Sequence, residues 1–341
     1  MTAMQRYFIR FVLLLTMTIM LSCSSQSKSD STKHISLRNL KLKKIYPNIV
    51  YVKDILYKKI FHHKHTLDIY YKKHKVQSKV IIFIHGGAWK RGDKLLYAEL
   101  GYTFSHYYNF TTVIINYRLS NSIDGKAIFP DHLNDVSDAI KWVIKHIKTY
   151  GGDPGQLFLL GHSAGAHLAS LFIQKKHTNI NNNIKGVILV SGQYQLQKLI
   201  KLTGNDFKIS FFDAIKYRFM LKNAFGSIQS DILKKASPNI RKIINTIPVL
   251  LLYSEKDIPG ADFSAKLLLL QLKANKVKVK IKKFNINDFS KKSIDLAAKL
   301  GIKTGYGFQK YTGHFAEIIS INTKEHKNIV IKTIVTFINS Y

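Results

Sequence analysis

The residues from Leu157 to Leu171 read LFLLGHSAGAHLASL. A short apolar run ends at Gly161, and His162, Ser163, Ala164 and Gly165 lead into a helix-forming segment. This is a G-x-S-x-G pentapeptide between a predicted strand and a predicted helix, the setting in which the motif presents a serine hydroxyl for attack on a carbonyl. A strand that turns abruptly into a helix forces the central residue into strained backbone angles. The two glycines leave room for helix and strand to approach closely. The turn lifts the Ser163 hydroxyl clear of the sheet edge. It also sets the Ala164 N–H at a helix N-terminus, where partial positive charge favours an oxyanion. A serine that merely caps a helix would use the same letters, so its partners decide the matter.

A nucleophilic serine needs a base, and the base needs an orienting acid. The apolar run Val249 to Ser254 is followed by Glu255, Lys256, Asp257, Ile258 and Pro259. Asp257 then sits just past the C-terminal end of a buried strand, where ligand chemistry collects in open parallel sheets. Glu255 is the competing acid. Further on, Tyr311, Thr312, Gly313, His314 and Phe315 precede the last helical segment, and His314 is expected in a loop there as the base. Other histidines are worse placed. His326 falls in the closing helix, and His177 follows the helix after Ser163. His162 is expected to point away from the serine, and His167 to pack.

An oxyanion needs converging N–H donors. His85, Gly86, Gly87, Ala88 and Trp89 follow the strand Val80 to Ile84, and glycine lets a backbone turn its amides inward. Gly86 and Gly87 are assigned as donors beside Ala164, with Ala88 as a further candidate. His85 is expected to order this loop. Trp89 either lines a substrate pocket or packs.

The elements that must hold these residues follow from periodicity. Lys53 to Ile60 and Thr66 to Tyr71 alternate apolar and polar residues and predict a pair of opening strands. Val80 to Ile84, Thr111 to Tyr117, the run at Leu157, Gly186 to Ser191 and Val249 to Ser254 are continuous apolar runs, as in strands buried on both faces. Val277 to Phe284 alternates with lysines, so it is the exposed last strand. Asp131 to Ile147 and Thr323 to Ile338 have helical spacing. Strands alternating with helices predict an α/β domain with a mostly parallel sheet. Two connections are long. Gly192 to Ile247 predicts a helical cap, whose Phe207, Ile209, Phe211, Phe212, Ile215, Tyr217, Phe219 and Met220 are expected to form a lid. Asn285 to Tyr306 is a smaller insertion.

The chain has 341 residues, 46% of them apolar, which excludes a disordered chain. Met1 to Ser22 carries Arg6 and Arg10 ahead of an apolar run too short to span a bilayer comfortably, and so reads as a secretory signal. It ends at Cys23, the single cysteine, which excludes an internal disulfide. Residues 23–45 are polar at first and read as a tether, leaving 46–341 as the folded domain. The formal charge of +33 is spread along the chain, in stretches such as Lys276, Lys278, Lys280, Lys282 and Lys283. No nucleic-acid signature accompanies it, and a solvated basic surface beside an anionic membrane is the expectation. His62, His63 and His65 have no carboxylate at ligand spacing in sequence, so no metal is expected.

With these motifs in hand, the chain resembles the α/β-hydrolase superfamily. Within it, the likeness is to carboxylesterases near hormone-sensitive lipase, bacterial feruloyl/acetyl-esterase-like enzymes and kynurenine formamidase. The stretches that carry it are HGGAW at 85–89, NYRLS at 116–120, YGGDP at 150–154, GHSAGAHLAS at 161–170 and ASP at 236–238. The resemblance implies a serine esterase with Ser163 as nucleophile, Asp257 as acid and His314 as base, acting on a small-molecule ester without a cofactor. An amidase or formamidase with the same three residues, or a non-catalytic envelope-binding lipoprotein, are the alternatives. The N-terminus resembles a bacterial lipoprotein signal, which implies lipidation at Cys23 and a membrane-anchored, exported protein. There are departures: Ala88 stands where HGGG has its third glycine, and Asn121-Ser122-Ile123-Asp124 follows NYRLS in place of a Pro-Glu dipeptide.

Overall fold

Eight strands form one sheet in the order β1-β2-β4-β3-β5-β6-β7-β8. They are β1 (Ile49–Leu56), β2 (Thr66–Lys72), β3 (Ser78–Ile84), β4 (Thr111–Ile115), β5 (Gly152–His162), β6 (Ile184–Val190), β7 (Val249–Ser254) and β8 (Val279–Phe284). The structure is a computed structural model that describes residues 42–59, 62–120, 127–174, 180–201, 211–238, 247–303, 312–321 and 328–341. The N-terminal signal, Cys23, most of the tether, His177, His326, Phe207, Ile209 and Asn121 to Asp124 lie outside the described residues. The chain divides into a unit ending at Pro47 and a second unit, Asn48–Tyr341. Of the first, residues 42–45 form one helical turn. Everything that follows concerns the second.

β1 pairs with β2, and β2 with β4, antiparallel; every other pairing is parallel. The apolar runs explain this layout. All five residues of β4 and all six of β7 are buried, as a strand covered on both faces requires. β8 closes one edge, and its exposed Lys280 and Lys283 discourage pairing with another chain. The fold class is therefore α/β, the α/β-hydrolase architecture.

The helices are α1 (Ala98–Tyr108), α2 (Asp131–His146), α3 (Ala164–Gln174), α4 (Leu196–Lys201), α5 (Phe211–Phe225), α6 (Ser230–Lys235), α7 (Ala261–Ala274), α8 (Lys291–Lys303), α9 (Thr312–Ile321) and α10 (Ile329–Asn339). The long connection between β6 and β7 carries α4, α5 and α6, and the smaller insertion carries α8. Some bounds differ from expectation. β1 starts at Ile49, because Ile49 to Val52 already pair with Lys72 to Ile69. The closing helix starts at Ile329, where the Asn328 side chain accepts from the Ile331 N–H at 2.9 Å and caps it.

Two close approaches fix where α3 lies. A Cβ on Gly165 would fall 2.0 Å from the Ile84 carbonyl oxygen, and one on Gly161 would fall 2.5 Å from the Gly165 oxygen. Only glycine permits α3 to press onto the ends of β3 and β5.

The NYRLS stretch after β4 is held by α2. Asp135, fully buried, accepts from the Arg118 backbone N–H at 3.0 Å, from Arg118 Nε at 2.8 Å and from Nη2 at 2.9 Å. Lys58 and His65 lie beside the same carboxylate. Burial pushes the Asp135 carboxyl up, but the Arg118 hydrogen bonds and charge outweigh it and hold it below the usual aspartate value. So anchored, Tyr117 donates to the His85 carbonyl at 2.9 Å, and the Ser120 N–H donates to the Trp89 carbonyl at 2.9 Å. NYRLS is thus a brace for HGGAW. Arg118→Met should cost about 3 kcal/mol at pH 7, the low end for a broken buried pair, because Lys58 remains near the carboxylate. The Asp135 pKa is depressed by folding, so its contribution is present above the unfolded value of about 3.9 and is lost as pH falls through the folded one. Urea unfolding of wild type and variant should therefore differ at pH 7 and converge below about pH 4.

Candidate active site

Ser163 sits between β5 and α3 with φ of +54°, in the left-handed region that a serine rarely adopts. The turn is pinned from both sides. The Ser163 N–H donates to the Val190 carbonyl of β6 at 2.8 Å, and the Ser163 carbonyl accepts from the His167 N–H at 3.1 Å. Ala164 opens α3, so its N–H is one of the first-turn donors that lack an intrahelical acceptor.

His314 lies in the first turn of α9, not in a loop. The reason is a contact that the sequence does not show. The Gly313 N–H donates to the Lys256 carbonyl at 2.9 Å, and Ser254 Oγ donates to the Gly313 carbonyl at 3.2 Å. A Cβ at Gly313 would fall 2.7 Å from the Ser254 Cβ. The helix is thereby docked directly on the turn after β7.

That docking brings three side chains together. His314 Nδ1 lies 2.7 Å from Asp257 Oδ1, and His314 Nε2 lies 3.1 Å from Ser163 Oγ. The carboxylate accepts only, so Nδ1 carries the hydrogen and Nε2 presents its lone pair to the serine hydroxyl. Asp257 also accepts from the Ile258 N–H at 2.7 Å, the Ser254 N–H at 3.3 Å and Ser191 Oγ. Burial alone pushes the Asp257 carboxyl up. The His314 charge and the hydrogen bonds from His314, Ser191 and Ile258 outweigh that and hold it below the ordinary aspartate value. Glu255, the competing acid, is exposed, and its carboxylate faces the Ile286 N–H at 3.5 Å, not His314.

The HGGAW loop lies against the elbow. A Cβ on Gly86 would fall 3.0 Å from the Ser163 Cβ, and no acceptor among the described residues pairs with the Gly86 or Gly87 N–H. Gly87, Ala88 and Trp89 all have positive φ. His85 Nδ1 lies 2.8 Å from the Gly86 carbonyl, and its ring stacks on Tyr117 at 4.4 Å. Burial lowers its pKa to about 4, so it holds the loop as a neutral ring.

Trp89 is 2% exposed. It meets His167 edge-on at 5.1 Å and Phe225 of α5 at 5.0 Å. His167 Nε2 lies 2.7 Å from the Ala236 carbonyl. His162 does not reach the serine: its Nε2 donates to the His314 carbonyl at 3.0 Å. Burial, then the charge of His314, lowers its pKa to about 3. In the cap, the Met220, Leu221, Ala224 and Phe225 side of α5 is buried, whereas Ile215 and Phe219 are exposed. The Phe211 and Phe212 side chains lie outside the described residues.

Sequence reasoning missed Ser191 and Glu317. Ser191 follows an apolar strand like any strand-ending serine. The one signal for Glu317 is its spacing of three residues after His314, which shares a helix face with it.

The arrangement holds a hydroxyl beside an imidazole nitrogen, a buried carboxylate behind the imidazole, and a glycine-containing loop against the residue that carries the hydroxyl. Such a set does acyl transfer: proton removal, attack, and oxyanion stabilisation. Gly86→Ala tests the fit, since the new Cβ would lie 2.8 Å from His162 Nδ1 and 3.0 Å from the His162 carbonyl oxygen. The variant should label with a fluorophosphonate at least about tenfold more slowly than wild type, because the loop must shift beside Ser163 to admit the new Cβ.

The chain spans less than half the length of the curated relatives it matches first. It is 30% identical over 204 residues to the probable isoprenylcysteine alpha-carbonyl methylesterase ICMEL1 of Arabidopsis thaliana, covering 57% of this chain and 41% of the relative. It is 41% identical over 92 residues to the probable carboxylic ester hydrolase LipM of Mycobacterium tuberculosis, covering 27% of this chain and 20% of that one. Its fold is similar to that of esterase B from Lactobacillus rhamnosis, with a TM-score of 0.65 at 17% identity over 92% of this chain and 95% of that one. It is also similar to the esterase of Pyrobaculum calidifontis, with a TM-score of 0.59 at 17% identity over 92% and 93%. The BD-FAE family model matches residues 67–259, from β2 through the turn that carries Asp257. An α/β-hydrolase sheet with this match across more than half its length places the chain in the BD-FAE family.

Proposed function

We propose that this protein is a serine hydrolase of carboxylic esters that works through Ser163, His314 and Asp257. The observation that carries the reading is His314 standing between the other two, 2.7 Å from Asp257 and 3.1 Å from Ser163. The relatives named as esterases and methylesterases support the ester bond as the target.

His314 Nε2 takes the Ser163 proton as Oγ attacks the ester carbonyl. The Gly86, Gly87 and Ala164 amides face the developing oxyanion. The carboxylate of Asp257 steadies the imidazolium and fixes its tautomer. His314 then gives its proton to the leaving alcohol, and water repeats the steps to free the acid. The scheme assigns Trp89, packed between His167 and Phe225 in the loop beside Ser163, to the wall of the substrate pocket. The substrate is a small ester. An amide, as in a formamidase, is the second substrate class these residues could serve. No cofactor enters the scheme.

Ser163→Ala should fold as wild type and lose activity on p-nitrophenyl esters by roughly 10³-fold or more, with His314→Ala about as low. Asp257→Asn should lose on the order of 10³- to 10⁴-fold, because asparagine favours the wrong imidazole tautomer. Glu255→Gln should retain wild-type kcat. Activity that survives Ser163→Ala would overturn the scheme.

The proposal extends to location. The basic, apolar segment ahead of Cys23 supports export and a lipid anchor on that cysteine. Cys23→Ser should move the protein from the membrane fraction to the soluble fraction, or leave it unprocessed. Unchanged sedimentation with membranes removes the anchor from the account.

A further inference from the structure

Behind the triad-like array, two buried carboxyl groups meet on one hydroxyl. Ser191 Oγ, just past β6, contacts Asp257 Oδ2 on one side and Glu317 Oε2 on the other. Ser191 is 1% exposed and Glu317 is fully buried. A serine hydroxyl has one hydrogen, so it can satisfy only one of the two. The other carboxyl must bring a hydrogen of its own, since two buried carboxylates this close cannot both ionise. Asp257 is the ionised one, because the His314 Nδ1–H, the Ile258 N–H and the Ser254 N–H all point at it. Glu317 has no such set of donors among the described residues. It faces the hydroxyls of Ser191 and Ser254, and the Ser254 hydrogen goes to the Gly313 carbonyl.

We propose that Glu317 is a positioning residue: its carboxyl hydrogen is donated to Ser191 Oγ, which turns the Ser191 hydrogen onto Asp257 Oδ2 and fixes that carboxylate beneath His314. The donors then run in one direction, from Glu317 to Ser191 to Asp257. Asp257 keeps Oδ1 for His314 and cannot rotate away. Burial, then the charge of Asp257, pushes the Glu317 carboxyl well above its ordinary value, consistent with its role as a donor. The other titratable groups facing it are His314 on the same helix and Tyr194. The Tyr194 phenol is itself driven up by burial and by both acids, and stays neutral. An ionised Glu317 would add a second negative charge beside Asp257.

This inference rests on the proposed hydrolase reading, and its test separates the two. The variants are E317Q, E317L, S191A and the S191A/E317L double variant. The measurements are kcat and KM on p-nitrophenyl acetate, the pH dependence of kcat/KM, thermal unfolding, and the low-field proton resonance of His314 Nδ1–H, identified by its loss in H314A. A glutamine N–H donates to Ser191 as the acid O–H does. E317Q should therefore keep kcat within about threefold, leave the acid limb unmoved and keep the resonance. E317L should lower kcat about tenfold or more at unchanged KM and shift the resonance. The double variant should be no slower than S191A, because both changes act through one hydroxyl. The inference is overturned if E317Q falls as far as E317L, if the double variant loses the product of the single losses, or if E317L keeps wild-type kcat. Should E317L fail to fold, S191A decides: wild-type kcat and an unmoved resonance there also overturn it. If the wild type hydrolyses no ester, the hydrolase reading fails, and the resonance in E317Q and E317L still decides whether Glu317 positions Asp257.

Discussion

The structure depends on one steric constraint, the contact of α3 with the ends of β3 and β5. Gly165 touches the Ile84 carbonyl where a Cβ would fall 2.0 Å away. No other residue type fits there, and Ser163 makes the turn between β5 and α3 with φ of +54°. The strain is tolerable because the turn is over-determined: Val190 holds it from β6 and His167 from the next turn of α3. A serine in this position cannot retreat into the sheet, and its hydroxyl stays on the side where β6 and β7 end and α9 begins.

Around that fixed point, loops are made rigid by groups that never touch Ser163. The HGGAW loop has three consecutive residues at positive φ and would not hold its shape alone. Tyr117 and Ser120 tie it by its carbonyls, and Asp135 ties Arg118 between them. The motif NYRLS is thus a scaffold for another motif. Phe225 from the long β6–β7 connection meets Trp89 of the same loop, and the Phe129 N–H donates to the Ala224 carbonyl at 3.0 Å, so that connection is tied to the HGGAW loop.

This division explains what the sequence could tell. Strands β3 to β7 were legible because burial on both faces leaves an apolar run with no alternation. Ser163, Asp257 and His314 were legible because each follows a strand end or a glycine in an order that the chemistry restricts. The setting of His314 was not. Whether Gly313 ends a loop or begins a helix depends on Lys256 and Ser254, more than fifty residues upstream. Trp89 stayed ambiguous for a similar reason: its burial depends on Phe225, which local periodicity cannot bring to it. Ser191 and Glu317 left no pattern, since a strand-ending serine and a helix glutamate are ordinary until tertiary contacts make them neighbours. What a single sequence withholds here is pairing between distant elements, while the local turn chemistry is written openly.

The same pairing sets the electrostatics of the site. Burying a carboxylate is costly unless donors surround it, and Asp257 has donors from its own turn, from Ser191 and from α9. Placing a second acid, Glu317, one hydroxyl away would ordinarily weaken that arrangement, because like charges in a dry interior repel strongly. The conflict disappears when one acid stays neutral. His314 favours the ionised form of Asp257 alone, so the asymmetry comes from α9, whose first turn carries the histidine and whose second carries the glutamate. One helix therefore sets the charge state of both acids, and its docking through Gly313 matters as much to the site as the elbow does.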